Sequence, residues 1–347
     1  MLSLELIDQQ IINQNLLQTI RLIGEYKGKQ ELFKEQAPQI LETLRQTAII
    51  QSTESSNRIE GIIVSPERIK QLVEEKTTPR DRSEQEIAGY RQLLSTIHIN
   101  YKSIPFTPNI ILQLHRDLYQ FTTLPGGKWK TIDNEITITY PDGTKFVRFR
   151  PTPAYATPEL MVQLHEQFNQ LLNSGKIEPL LLIATYVFDF LCIHPFLDGN
   201  GRIARLITLL LLYQSGYQVG RFISLELIIE KNKESYYDTL YQSSQGWHES
   251  AHNLTPWWEY FLGIMLLSSY REFEQRVGYI ASVKGTKTAI ILDAISNLPR
   301  EFSIAQLKEK CPNVGIDLIR RVLRQEKDGG HLQCLGRGAN ALWQKQL

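Results

Sequence analysis

The chain has 347 residues, of which 42% are hydrophobic, and its formal net charge is +1. This length predicts two or three domains with packed cores, and the near-zero charge excludes a bulk attraction to nucleic acid or to a membrane surface. The three cysteines, Cys192, Cys311 and Cys334, have no CxxC spacing. This cysteine pattern, the acidic residues near the N-terminus and the lack of an apolar run of membrane-spanning length together favour a soluble cytoplasmic protein without membrane partners.

The first hundred residues or so have the composition of helices, rich in Gln, Glu and Leu. Three prolines divide this region: Pro38, Pro66 and Pro79. Within it, Ser56 and Glu60 are four positions apart and share one face of a helix. Gly61 suits the end of that helix. Such a spacing is most often found on a solvated helix face.

Residues 125–150 predict a β-hairpin. The alternating apolar positions are Ile136, Ile138 and Tyr140 before an Asp142-Gly143 turn, and Phe146 and Phe149 after it. A helical spacing of apolar residues follows from Leu160 to Leu172, and a further helix is expected around Trp257, Trp258 and Phe261.

Between two apolar runs, 180–193 and 203–213, lies the string His-Pro-Phe-Leu-Asp-Gly-Asn-Gly-Arg-Ile-Ala-Arg at 194–205. The runs predict two buried helices, with the polar residues in the loop that joins them. Gly199, Asn200 and Gly201 suit a nest of backbone N–H groups that binds an anion. Arg202 and Arg205 are three apart at the start of the second helix, so both guanidiniums can reach one polyphosphate.

Two further residues of this loop suit phosphate chemistry. Asp198 is a hard oxygen ligand for Mg²⁺, which takes its other ligands from substrate phosphates and water. His194 is a candidate general base. Alone, a histidine at a helix end and an Asp-Gly pair are more often structural, but their combination with a nest and two arginines favours a nucleotide site.

The last sixty residues predict a separate module of three helices and a two-stranded ribbon. The helices are expected at 286–296, from Ser303 to Lys310, and at 315–325, and the strands at 332–335 and 341–344. Arg320, Arg321 and Arg324 make the third helix basic. The pattern resembles a winged helix, in which this helix would enter a DNA groove while Arg337 in the wing contacts phosphate. A protein-interaction or dimerisation module is the alternative.

The string 194–205 resembles the complete signature of the Fic (Fido) family, His-x-Phe-x-Asp-Gly-Asn-Gly-Arg-x-x-Arg, at every fixed position. The resemblance implies a mainly α fold whose helical core transfers AMP from ATP to a protein hydroxyl and releases pyrophosphate. It implies that His194 is the base, Asp198 the Mg²⁺ ligand, and Gly199, Asn200, Gly201, Arg202 and Arg205 the phosphate ligands. The related Doc kinases have a lysine in place of the second glycine of the signature, so Gly201 favours nucleotidyl transfer.

The segment 56–61 resembles the family's inhibitory motif, Ser/Thr-x-x-x-Glu-Gly/Asn. The resemblance implies that Glu60 pairs with Arg205 and displaces the γ-phosphate. It also implies that the hairpin is a flap that docks the target by strand addition, although Lys128 and Lys130 stand where the family often has an arginine. It further implies that Tyr237, next to Tyr236, contacts the nucleotide. Paired tyrosines on a helix are equally typical of residues that pack in the protein core.

These expectations divide the chain into an N-terminal helical region (1–105), a Fic catalytic domain (106–268), a linker helix (269–285) and a winged-helix-like domain (286–347). The predicted function is an autoinhibited protein adenylyltransferase whose target is another protein or itself. A DNA-binding regulator with a nucleotide-sensing core and an enzyme that removes AMP are the alternatives. The resemblance also allows a homodimer.

Overall fold

The computed structural model describes residues 2–36, 38–75, 77–139, 142–282, 286–312, 314–336 and 341–346. The chain is mainly α-helical with small antiparallel sheets, which confirms the predicted fold class. Within the described residues, no helix is both long enough and apolar enough to cross a lipid bilayer.

Four helices make up the N-terminal region after a 3-10 segment at Ser3–Gln9: α1 Gln14–Gln36, α2 Pro38–Ile59, α3 Pro66–Val73 and α4 Arg82–Asn100. Pro38 and Pro66 each occupy the first position of a helix, where the missing N–H costs no hydrogen bond. Helix α2 packs against α4, α8 and α9. Its last turn ends at Gly61, whose φ of 81° favours glycine.

The central helices are α5 Pro108–Leu118, α6 Thr157–Ser174, α7 Pro179–Ile193, α8 Asn200–Gln214, α9 Leu225–Lys231 and α10 Lys233–Ser244. Helix α7 is predominantly apolar, is buried along almost its whole length and packs against α6, α8 and α11 (Thr255–Trp258). Such a helix is stable only when it is surrounded. The two apolar runs of the sequence are therefore the central helices of the core, and the loop between them leads to the surface.

Helix α11 continues into a π-helical stretch, Glu259–Leu267, and then into α12, Ser268–Ser282. Trp257 and Trp258 are buried and donate their indole N–H groups to α7, at Ala184 O (2.7 Å) and Thr185 Oγ1 (3.0 Å). The helix expected around these tryptophans thus closes one side of the core.

The predicted hairpin is formed by β1 (Ile136–Thr139) and β2 (Lys145–Phe149), which pair in antiparallel register with an irregularity after Ile136. Asp142 shapes the turn by accepting from the backbone N–H of Thr144 (2.9 Å), and Gly143 has a φ of 83°. Tyr140, which the sequence placed on the first strand, lies outside the described residues.

The C-terminal module contains α13 Thr286–Asn297, β3 Glu301–Ser303, α14 Ile304–Lys310, α15 Ile316–Asp328, β4 Leu332–Cys334 and β5 Leu342–Lys345. Ser303 and Gln306 form a reciprocal capping box at the start of α14. The expected two-stranded ribbon has a third strand, in the order β3-β5-β4. Arg337 lies outside the described residues, and the winged-helix assignment stays a prediction.

Candidate active site

A cleft of about 930 Å³ opens beside the loop that joins α7 to α8. Its walls are the hairpin, helix α10, the end of α7 and the start of α8. His194, Gly201, Arg205, Glu60 and Tyr237 all line it. Residues from three distant parts of the sequence, each predicted to take part in nucleotide chemistry, therefore line the same cleft.

His194 terminates α7 in a left-handed conformation (φ 51°, ψ 61°), which is uncommon for a residue with a side chain. Its N–H still donates to Phe190 O (2.9 Å), and its Nδ1 lies 3.4 Å from Leu191 O. Burial and the nearby Lys130 ammonium lower the pKa of His194 to about 4. The imidazole is therefore neutral at physiological pH and able to accept a proton.

The loop after His194 is held closed by the side chain of Asn200. Asn200 Oδ1 accepts from Phe196 N (2.9 Å), and Asn200 Nδ2 donates to Phe196 O (2.8 Å). Because both ends of this amide bond to the loop and the residue is buried, its side chain shapes the nest rather than pointing into the cleft.

An aromatic stack also holds this loop in place. The fully buried Phe196 ring lies parallel to His115, with centroids 3.7 Å apart. His115 Nδ1 accepts from Gly127 N (2.9 Å), so its proton is on Nε2, which donates to Asp198 O (3.1 Å). Burial lowers the pKa of His115 to about 4, which keeps this arrangement of donor and acceptor at neutral pH.

Gly199 provides the turn into α8. Its φ of 82° and the closeness of Tyr119 Oη, 3.0 Å from where a β-carbon would be, leave room only for glycine. Helix α8 begins at Asn200, so the first N–H groups of its N-terminus lack partners within the helix and carry its positive dipole end. This geometry suits a bound phosphate.

Arg205 makes three hydrogen bonds to the end of α2. Its Nε donates to Ser56 Oγ (2.8 Å), and its Nη2 donates to Ser56 O (2.9 Å) and to Glu60 Oε1 (2.7 Å). The Arg205 side chain is only 4% exposed, whereas that of Glu60 is 30% exposed toward the cleft. Although burial alone would lower the pKa of Arg205, the Glu60 carboxylate raises it above its ordinary value.

Glu60 also approaches the nest itself. A β-carbon on Gly201 would lie 2.3 Å from Glu60 Oε1. The carboxylate therefore occupies the space next to Gly201, where a bound anion would contact both the helix N-terminus and Arg205. The two negative groups would compete for one place.

Arg202 has partners that the sequence did not indicate. Its guanidinium is 1% exposed and donates to Glu86 Oε2 (2.5 Å) and to Tyr119 Oη (2.9 Å). A side chain held in a buried ion pair must rearrange before it reaches a phosphate. Its assignment as a phosphate ligand stays a prediction.

Asp198 has a side chain that is 59% exposed, next to the guanidiniums of Arg82 and Arg202 at 3.8 Å. No cluster of three metal-binding side chains occurs among the described residues. A single accessible carboxylate fits Mg²⁺, which commonly completes its octahedron with water and phosphate oxygens. It does not fit an ion that needs an all-protein cage.

The two tyrosines of α10 differ in environment. Tyr236 is 4% exposed and packs against Trp257 and Tyr260, so it is mostly a core residue, although it also lines the cleft. Tyr237 is half-buried and faces the cleft. The choice of Tyr237 for nucleotide contact is consistent with this position and stays untested.

Sequence reasoning missed the residues that support the loop from other helices. His115 on α5 contacts the loop at Asp198, while Glu86 on α4 and Tyr119 after α5 hold Arg202 in the first turn of α8. Lys130 was noted only as a neighbour of the hairpin, yet its ammonium bonds to Ile193 O. The local sequence around each of them carries no chemical signal, since the contacts are made only by the folded chain.

Comparison with protein-family models matches residues 105–212 to the Fic/DOC family. Over 210 residues the chain is 27% identical to "Protein adenylyltransferase Fic" of Nematostella vectensis, an alignment that covers 57% of this chain and 44% of that protein. A Fido domain-containing protein of Dictyostelium discoideum is 37% identical over 67 residues, 18% of this chain and 47% of that protein. The chain thus spans less than half the length of these curated relatives.

Solved structures with the same fold include a Fic family protein from Desulfovibrio desulfuricans G20, with a TM-score of 0.63, 21% identity and 97% coverage of both chains. Fic-1 from C. elegans (residues 134–508) has a TM-score of 0.58 and 18% identity, covering 74% of this chain and 71% of that one. At these identities the likeness concerns the fold.

Proposed function

Since the chain carries a Fic domain and so belongs to the Fic/DOC family, we propose that it is a protein adenylyltransferase that transfers AMP from ATP to a hydroxyl side chain of a protein. The observation that carries the proposal is the placement of His194, the α8 N-terminus and Arg205 around one cleft. The relatives named as adenylyltransferases support the same reaction.

In the proposed reaction, the hydroxyl oxygen of the target attacks the α-phosphorus, its proton passes to His194, and the bond to the bridging oxygen breaks to release pyrophosphate. His194 is neutral and lies at the cleft, as a general base must. Positioning and charge neutralisation contribute more to such a transfer than covalent help. Mg²⁺, held by Asp198, would neutralise phosphate charge.

We propose in addition that Glu60 restrains the enzyme. Its carboxylate is bonded to Arg205 and lies against Gly201, so it occupies the place of a distal phosphate and cancels the charge that would bind it. ATP then binds badly or in an unproductive position. The hairpin that lines the cleft is proposed to hold the target segment by strand addition.

The test uses ATP labelled at the α-phosphate, with Mg²⁺, and measures label on the chain itself and on added protein. We expect Glu60→Gly to raise labelling about tenfold or more, equivalent to ~1.4 kcal/mol, and His194→Ala in that background to abolish it. Glu42→Gly places the same residue at an exposed site of α2 and controls for loss of helix propensity. It should leave labelling unchanged.

No covalent label in the folded Glu60→Gly variant would reject the transferase. Equal labelling by that variant and the wild type would reject only the restraint. If the variant instead released AMP from a labelled protein, the alternative of AMP removal would replace the proposal.

A further inference from the structure

The C-terminal module, residues 286–347, has a charge opposite to that of the rest of the chain. It contains ten lysines and arginines against six aspartates and glutamates, whereas the preceding residues contain 28 against 31. The overall net charge of +1 therefore hides a basic unit attached to a slightly acidic one. The module is therefore the part of the chain whose net charge would attract a polyanion.

Helix α15 carries four of the ten basic residues of the module, together with three acidic residues, Asp317, Glu326 and Asp328. Its inner residues, Ile319, Val322 and Leu323, are buried against α13, α14 and β4. Arg320, Arg321, Arg324 and Lys327 are exposed. Among the described contacts, Arg320 has a 3.7 Å approach to Asp317, which is itself 94% exposed.

The segment that leads into α15 is held by a lysine of α14. Lys308, at the end of α14, donates to Pro312 O (2.9 Å) and Val314 O (2.6 Å), which fixes the turn that leads into α15. The opposite side of the module faces the N-terminal helices, where α13 packs on α2 and Lys310 pairs with Glu74. The outer face of α15 is exposed to solvent.

From these observations we propose that the exposed face of α15 binds duplex DNA. Its 13 residues span about 20 Å at ~1.5 Å per residue, and a single helix fits the B-DNA major groove, whose width is about 12 Å. Arginines match phosphate and guanine with a two-pronged geometry. The face has no apolar stripe with which to enter a membrane, and the major groove of duplex RNA is too narrow for a helix.

The experiment measures the fluorescence anisotropy of a labelled duplex of about two helical turns, ~20 base pairs, with the full-length chain between about 50 and 200 mM salt. We expect binding that weakens steeply with salt. Arg321→Gln with Arg324→Gln should weaken it and reduce the log–log salt slope by about two, one for each lost phosphate contact.

The matched control is Lys287→Gln with Arg300→Gln, which removes the same charge from exposed positions of the module outside α15. This pair should bind as the wild type does. An absence of binding at low salt, an equal loss in both double variants, or equal competition by duplex RNA would each overturn the proposal. Circular dichroism and unchanged AMP transfer would show that the variants are folded.

Discussion

Lys130 holds the backbone on both sides of His194. Its N–H donates to Pro195 O (2.8 Å), and its ammonium donates to Ile193 O (3.1 Å) and to Asn134 Oδ1 (3.0 Å). The residue is 3% exposed, and burial lowers the pKa of its amine to about 8. One lysine therefore both fixes the uncommon backbone conformation of His194 and places a positive charge near its ring.

We expect Lys130→Met to raise the pKa of His194 from about 4, because the nearby cation that disfavours protonation is gone. A histidine with a depressed pKa is neutral down to low pH. When its pKa rises, the protonated form, which cannot act as a base, persists to higher pH. NMR titration of the His194 ring, and the acid side of the pH–rate profile in the Glu60→Gly background, should both shift upward.

Lys130→Arg retains the charge and is the control for this change; its His194 titration should stay close to that of the wild type. The NMR measurement is independent of whether AMP is transferred. An unchanged titration in the methionine variant would show that burial alone sets the pKa of His194.

The end of helix α2 determines where Glu60 lies. The backbone turns back through hydrogen bonds from Glu60 N and Ile62 N to Asn57 O (3.1 and 3.0 Å), and this turn requires the positive φ of Gly61. Lys233 from α10 donates to Ile59 O (2.8 Å) and neutralises the negative end of the helix dipole. The contact that we propose to be inhibitory thus depends on the conformation of a helix terminus as well as on one carboxylate.

Gly61→Ala should therefore activate the enzyme without removing Glu60. A β-carbon would meet no atom within 4 Å, so the cost is the left-handed conformation alone, about 1 kcal/mol. The strain destabilises the state in which Glu60 is bonded to Arg205, and it disappears if the turn relaxes when Glu60 leaves Arg205. The population of the released state, and with it AMP transfer, should then rise about fivefold. The rate of labelling measures this effect.

Gly175→Ala is the matched control, since Gly175 also has a positive φ (64°), has open space around it and ends another helix, α6. Both variants should lower the thermal stability by a similar amount, but Gly175→Ala should leave the labelling rate unchanged. A rise in both would mean that general loosening, not the α2 terminus, controls activity.

The parts of the fold and site that the sequence predicts are those with a local pattern. The string 194–205, the hairpin and the two apolar runs that flank the string each carry their signal within a few neighbouring residues. Strand β3 does not, because its three residues become a strand only by pairing with β5, about forty positions later. Glu86 and His115 reach the loop from more than eighty positions away, so only tertiary packing reveals their role.

A buried carboxylate on helix α7 connects three segments of the core. Asp189 is fully buried and accepts from Ser3 Oγ (2.5 Å), Ser3 N (3.1 Å), Leu4 N (3.3 Å) and Trp247 Nε1 (2.8 Å). Burial raises the pKa of Asp189 to about 6. This one side chain joins the 3-10 segment near the N-terminus, helix α7 and the segment after α10.

We expect Asp189→Ala to lower the free energy of unfolding by about 3 kcal/mol, because it leaves several buried donors without an acceptor. Urea denaturation at a pH above the pKa of Asp189 measures this loss, and hydrogen exchange should show release of residues 3–9. Asp189→Asn keeps one acceptor oxygen and should lose less. If alanine and asparagine were equally and only slightly destabilising, the cost of burying the carboxylate would already offset its hydrogen bonds, and Asp189 would not hold these three segments together.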